Sequence, residues 1–215
     1  MIFYLDTSTS FLYSALYKDG NIISSLSMEL KRDLSKDSLI LISEMFEKNN
    51  LIPEDVEKII VVNGPGSFTG IRIGLSIAKT FAWARNIPVI PISSLEAMAY
   101  SSEIDANYII PIIDARRNYV YSSIYDTQNN QFILNEQYIS IKTLLVTLDS
   151  LPGKSIFVSN DSFELKYDLY KYNPDFKCII EKVKDREGVN VHSLDANYLK
   201  RTEAEENLDD KRNND

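Results

Sequence analysis

One cysteine, one histidine, one tryptophan and seven glycines stand in a chain of 215 residues, and these scarcities remove whole classes of function. Cys178 alone forms no intrachain disulfide and no multi-cysteine zinc site. Its expected role is to fill a strand in a protein of a reducing compartment. His192 alone excludes paired-histidine metal sites and would leave a Ser-His-Asp triad resting on one residue. A surface histidine is the expectation. No apolar run approaches the roughly twenty residues of a membrane span, and Met1-Ile2-Phe3-Tyr4-Leu5-Asp6 lacks the basic start and cleavage site of a signal peptide. A cytoplasmic protein without membrane contact is expected. Cations are also in deficit: 23 Lys and Arg against 31 Asp and Glu give a net charge of −8. Such a chain is a poor nucleic-acid binder by itself, because phosphate contacts need a clustered basic surface, so RNA is expected to be reached only through a partner. Half of the net charge falls in 203–215, with six acidic and two basic residues, which reads as a solvated, disordered tail.

The remainder alternates between strand and helix patterns. Ile2 to Asp6, Phe11 to Tyr17 and Ile22 to Met28 read as a three-stranded meander turning at Lys18-Asp19-Gly20-Asn21. Ser38 is expected to cap a helix through Leu39, Ile42, Met45 and Phe46, and Pro53 to open a helical turn before a buried strand, Ile59 to Asn63. A long helix over about Thr69 to Asn86 follows, then an extended Val89-Ile90 after Pro88 and a helix start at Ser93-Ser94-Leu95-Glu96. Later expectations are a strand over Phe132 to Ile141, a helix over Ser140 to Leu148, a strand over Ser155 to Ser159, a helix over Phe163 to Tyr172 and a strand over Cys178 to Val183.

The chain also repeats. LDTSTSFLYSALY, from Leu5, aligns with IDARRNYVYSSIY, from Ile113, matching Asp6 with Asp114, Tyr13 with Tyr121, Ser14 with Ser122 and Tyr17 with Tyr125. Two lobes that each begin strand, aspartate, loop, strand are the plan of actin-like ATPases and sugar kinases. The expected fold is therefore α/β, with residues 1–100 as an N-terminal lobe and 101–202 as a reduced C-terminal lobe. In that plan the loops after the first strands hold nucleotide phosphate, which needs backbone N–H groups that glycine leaves accessible. Neither Asp6-Thr7-Ser8-Thr9-Ser10 nor Asp114-Ala115-Arg116-Arg117-Asn118 contains glycine. Asp6, Thr7 and Asp114 thus read as degenerate phosphate-loop positions, and the two aspartates could equally satisfy N–H groups at the strand ends.

Four of the seven glycines fall in GPGSFTGIRIG, from Gly64 to Gly74. Gly70 is followed by Ile71 rather than the lysine of a P-loop, and Gly64, Gly66 and Gly70 are too widely spaced for the dinucleotide fingerprint. Gly70, Gly74, Ala78 and Ala82 instead recur every four residues, a smooth strip that a second helix could approach. The run Leu39-Ile40-Leu41-Ile42 cannot all face one core. Two readings stay open: a surface for a partner, or a larger internal core.

VVNGPGSFTGIRIGLSIAKTFA, with IPVIPISSLEAMA, PIIDARRNYVY and NYLKRTEAE, resembles the bacterial TsaB family of tRNA threonylcarbamoyladenosine biosynthesis proteins, also known as YeaZ or inactive glycoprotease-like homologues. The resemblance spans nearly all of the chain before the acidic tail. It implies a two-lobed actin-like (ASKHA) fold with no catalytic residue and no metal site. It implies a subunit required, with TsaD and the ATPase TsaE, for threonylcarbamoylation of the adenosine beside the anticodon in tRNAs reading codons that begin with A. ATP or ADP and Mg are then expected only in the complex, and a homodimer in the absence of TsaD. The helix pair that meets the partner maps onto Leu39, Ile42 and Phe46 and onto Gly70, Ile73, Gly74 and Ile77. The chain departs from the family in Lys36-Asp37-Ser38, where a His-Ser-Glu-like start is common. The alternative is an actin-like ATP-dependent kinase or ATPase, motivated by the repeated aspartates.

Overall fold

A computed structural model describes residues 1–30, 34–101 and 105–200, so the expected acidic tail lies outside the described residues. The first half runs β1 (Ile2–Asp6), β2 (Phe11–Lys18), β3 (Asn21–Glu29), α1 (Leu34–Lys48), a 3-10 turn (Pro53–Asp55), β4 (Lys58–Val62), α2 (Phe68–Arg85), β5 (Val89–Ile92) and α3 (Ser94–Tyr100). The second runs β6 (Tyr108–Asp114), β7 (Tyr119–Asp126), β8 (Gln131–Ser140), α4 (Ile141–Asp149), β9 (Ser155–Ser159), β10 (Leu169–Lys171) and α5 (Phe176–Val183), with a 3-10 turn at Val191–Ser193 in the closing segment. Each half folds into one five-stranded sheet, ordered β3-β2-β1-β4-β5 and β8-β7-β6-β9-β10. In both, an antiparallel meander is extended by two parallel strands.

Local chemistry explains most of these elements. Asp19 and Gly20 both take positive φ, 51° and 81°, which gives a two-residue turn the twist that joins β2 to β3. Ser67 caps α2 by accepting from Gly70 N–H, and Ser93 and Glu96 form a capping box on α3. β1 is buried on both faces, so Ile2 to Leu5 is continuously apolar rather than alternating.

Five layers result. Phe3, Leu5, Ile59 and Val61 face α1 and α2, while Tyr4, Ile60 and Val62 face the opposite way, toward α3, α5 and the second sheet. The far face of the second sheet, with Ile110, Ile112 and Phe157, packs on Leu144 and Leu148 of α4. The two helices between the sheets are exchanged: α3 contacts β6, β7 and β9, and α5 contacts β2 and β3. The closing segment also crosses back. Val189 bridges to Val89, Asn197 N–H donates to the Asn63 carbonyl at 2.8 Å, and Leu194 is buried beside α2. Residues 189–197, numbered within the expected C-terminal lobe, therefore rest on the first sheet's layer.

Four expectations are corrected. Helix α1 begins at Leu34, so Ser38 is a fully buried residue inside the helix rather than its cap. The segment 163–172 is not a helix: Phe163, Leu165, Tyr167 and Leu169 alternate onto the Phe157 cluster, a period of two ending in β10. Cys178 to Val183 is helical, because Asp175 accepts from Cys178 N–H and Phe176, Ile179, Ile180 and Val183 form one buried helical face. Cys178 accordingly fills no strand. The repeat is offset as well. Its alignment puts Leu5 and Ile113 in equivalent places, but Ser14 pairs with Leu5 whereas Ser122 pairs with Ile112. The second loop is one residue tighter.

Candidate functional site: the inter-lobe cleft and the α1–α2 face

The turn from β4 into α2 takes Gly64 and Gly66 through φ of +110° and +155°, with a cis bond at Gly64-Pro65. It brings the start of α2 down onto the loop between β1 and β2. Ser67 N–H donates to the Ser8 carbonyl at 2.7 Å, and Thr7 Oγ1 donates to the Gly70 carbonyl at 2.7 Å. A Cβ on Gly66 or Gly70 would overlap the carbonyl oxygens of Ser8 and Thr7, and one on Gly74 would stand 2.5 Å from Thr7 Oγ1. The glycines permit an internal backbone-to-backbone contact. This corrects the assignment of Gly70 and Gly74 to a partner surface: both are buried, as are Ala78 and Ala82, and the small-residue strip faces the protein's own first strand and loop.

Asp6 and Asp114 perform the same local task. Asp6 Oδ1 accepts from Ser8 N–H at 2.7 Å and Asp114 Oδ1 from Arg116 N–H at 2.8 Å, each closing a turn two residues on. Their surroundings differ. Asp114 is exposed, whereas Asp6 is 2% exposed behind Thr7 and Ser8. Burial pushes the Asp6 carboxyl up from 3.8 to about 6, with the Ser8 hydrogen bonds pulling in the other direction. Tyr4 and Tyr172, fully buried beside it, are pushed well above the usual phenol range by burial first and by their charged and phenolic neighbours second.

A pH dependence follows from Asp6. Its pKa is higher folded than unfolded, so the native chain holds the extra proton, and stability falls as pH rises from 3.8 through about 6. Asp6→Asn keeps the acceptor for Ser8 N–H and removes the charge. It is expected to raise unfolding free energy at neutral pH by about 1–3 kcal/mol, with no gain near pH 4, as read by urea titration at both pH values. A loss at neutral pH would mean that the carboxylate is stabilised where it stands.

Between the lobes lies a cleft of about 550 Å³, lined on one side by Ser8, Ser10, Ser67 and Thr69 and on the other by Asp114, Arg116, Asn160 and Asp161. Both degenerate loops reach it. In the first, the Ser8 N–H is committed to Asp6 Oδ1 and Thr7 Oγ1 to the Gly70 carbonyl, so these two donors are engaged within the chain.

The outer side of the molecule carries an apolar groove between α1 and α2. It comprises two adjoining hollows of about 490 and 590 Å³ that share Leu39, Ser76 and Ile77, with Ile73 in one and Thr80, Phe81 and Ala84 in the other. Leu39 is 56% exposed and Ile40 46%. Of the residues expected at a partner face, Leu39, Ile73 and Ile77 line this groove. Ile42 and Phe46 do not: they are buried beneath it, with the Phe46 ring 5.7 Å from Phe3 and 6.2 Å from Phe81. The Leu39-Ile40-Leu41-Ile42 run is thereby resolved, two side chains outward, one half-buried and one in the core. Sequence reasoning missed that Phe68 and Thr69 line both the cleft and the groove, making the first turn of α2 their common edge. Nothing but tertiary contact marks it.

The family model for TsaD, tRNA N6-adenosine threonylcarbamoyltransferase, matches residues 27–184. A Bacillus subtilis protein, tRNA threonylcarbamoyladenosine biosynthesis protein TsaB, is 30% identical over 94% of this chain and 94% of its own length. The chain belongs to the TsaB family. The TsaB of Haemophilus influenzae is 39% identical over 55% of the chain and 51% of its own length. Among solved structures, YeaZ from Pseudomonas aeruginosa superposes with a TM-score of 0.75 at 21% identity, over 92% of this chain and 99% of that one. An uncharacterised Pseudomonas aeruginosa protein with similarity to the peptidase YeaZ gives 0.79 at 22% identity, over 93% and 99%. At these identities the likeness concerns the fold, which is the two-lobed actin-like plan. Among the described residues no helix is long and apolar enough to cross a membrane.

Proposed function

We infer that this chain is a non-catalytic, cytoplasmic subunit of tRNA threonylcarbamoyladenosine synthesis, docking through its α1–α2 groove onto a TsaD paralogue and acting with TsaE. The observation that carries the reading is the groove itself: exposed Leu39 beside Ile73 and Ile77, on a helix pair whose inner faces are already committed to the core. An apolar face of this kind is normally covered. A paralogue of the same fold offers an equivalent helix pair, and a second copy of the chain covers the face when the paralogue is absent. The engaged β1–β2 loop supports the lack of independent nucleotide chemistry, so ATP or ADP with Mg belongs to the assembled complex.

Reconstitution tests this. The chain mixed with the TsaD paralogue of the same genome is expected to elute as a heterodimer, and threonylcarbamoyl transfer to tRNA should require both. The kinase reading predicts a different result: micromolar binding of Mg-ATP by the isolated chain, with hydrolysis lost in Asp6→Ala, would overturn the proposal.

A further inference from the structure

The parallel strands of both sheets run toward the inter-lobe cleft. Ser8 follows β1, Ser67 follows β4, Asp114 closes β6, and Asn160 and Asp161 follow β9, so the cleft lies outside the carboxyl ends of four strands, where open α/β sheets hold small ligands. Each lobe leaves a buried polar atom unpaired there. Ser8, 1% exposed, has no partner for Oγ, and Asn160, whose Nδ2 donates to the Tyr13 hydroxyl at 2.9 Å, has none for Oδ1. Buried polar groups are ordinarily satisfied, and two orphans on the two walls of one cavity call for an occupant that is polar at both ends.

The walls differ in charge. The first-lobe wall carries Ser8, Ser10 and Ser67 with the start of α2, an 18-residue helix whose Gly70 N–H is taken by Ser67 Oγ at 3.2 Å and whose Phe68 and Thr69 N–H groups have no partner among the described residues. Such a terminus favours a negative group. Ser8, Ser10 and Ser67 line the cleft and not the α1–α2 groove. The second-lobe wall carries two exposed carboxylates. Asp161 Oδ2 accepts from Asp114 N–H at 2.8 Å and Asp114 Oδ1 from Arg116 N–H at 2.8 Å, which leaves Asp161 Oδ1 and Asp114 Oδ2 open. Arg116 stands on the same wall, so two carboxylates and one guanidinium leave it one negative charge in excess.

We propose that the cleft binds a small zwitterion of the α-amino acid class, its carboxylate toward the α2 terminus and Ser8 and its ammonium toward Asn160, Asp114 and Asp161. An ion of one sign is poorly matched. An anion alone would face Asp114 and Asp161, and a cation alone would face the α2 terminus and Arg116. A zwitterion meets opposite charge at each end: its ammonium balances the single excess charge of the second-lobe wall and supplies the donor that Asn160 Oδ1 lacks, while its carboxylate accepts from the free N–H groups and from Ser8 Oγ. At about 550 Å³ the cleft has the size of a small-molecule site. The site is independent of the partner groove, and it stands whether or not the chain joins a paralogue.

Isothermal titration of the full chain with the protein amino acids, one at a time, tests this. Saturable binding of at least one is expected, and its N-acetyl form, which lacks the ammonium, and its amide, which lacks the carboxylate, should each bind about tenfold or more weakly. Asp161→Asn keeps an acceptor for Asp114 N–H and removes the charge, and should cost about tenfold in affinity. Ser8→Ala removes only the orphan hydroxyl, so the melting temperature should hold while affinity falls about threefold or more. Amide shifts of the unaltered chain, followed by NMR during the titration, should centre on Ser8, Ser67 and Asp161, a measurement that needs no variant to fold. No saturable binding up to about 10 mM, ten times a 1 mM dissociation constant, overturns the inference and leaves the cleft to water. Equal binding of the N-acetyl form or of inorganic phosphate would make it an anion site, and equal binding of the amide a cation site; either result rejects the zwitterion. Shifts centred elsewhere, or folded variants that bind as well as the parent, reject the cleft.

Discussion

Gly70→Leu is expected to destabilise the chain by about 3 kcal/mol or more, at the upper end of overpacking costs, and to lower the melting temperature by about 6–12 °C. The residue lies in the first turn of α2, and the space its side chain would need is occupied by the Thr7 carbonyl. Thr7 is itself fully buried and tied to the Gly70 carbonyl through Oγ1 at 2.7 Å, so neither side can yield without breaking the loop that carries Asp6. Backbone against backbone has no flexible end to move. A control at Gly20, where an added Cβ meets nothing within 4 Å but φ is +81°, should cost only about 1 kcal/mol. Thermal unfolding followed by circular dichroism reads both. A Gly70→Leu chain as stable as its parent, with partner binding lost, would return this strip of α2 to the partner surface.

Leu39→Asp is expected to do the reverse. At 56% exposure the side chain contributes little to the monomer, so unfolding should shift by no more than about 0.5 kcal/mol. In a complex the aspartate would sit unpaired against an apolar partner, and association should weaken by about 2–4 kcal/mol, roughly thirty- to a thousandfold. Isothermal titration against the TsaD paralogue measures it. Undiminished binding would place the interface elsewhere. The contrast with Ile42→Asp is informative, because Ile42, three residues along the same helix, packs into the core beneath the groove. That variant is expected to fail by unfolding, and its loss of binding would say nothing about the interface.

The first lobe was legible because its signals are local. The Asp19-Gly20 turn, the Ser67 and Ser93 caps and the apolar runs of β1 and β4 each act within a few residues. The second lobe was misread after Ser159 for the same reason. A six-residue stretch such as Cys178 to Val183 fits strand or helix until its neighbours Asp175 and Phe176 are counted, and 163–169 alternates in a way that only the Phe157 cluster makes meaningful.

The candidate site divides differently. By itself the sequence determined the family, through GPGSFTGIRIG and the accompanying segments IPVIPISSLEAMA, PIIDARRNYVY and NYLKRTEAE. It also determined that α2 must be packed closely on its small-residue side. Which body packs there was decided only by tertiary structure. A glycine every fourth residue states that a backbone comes near, not whose backbone it is, and the answer, Thr7, lies 63 positions away along the chain. The same holds for the closing segment. Phe68 and Tyr198 become one stacked pair, and Tyr138 and Lys200 another contact, because the closing segment folds back over the first lobe, and a spatial coincidence of that kind leaves no period or spacing in the sequence.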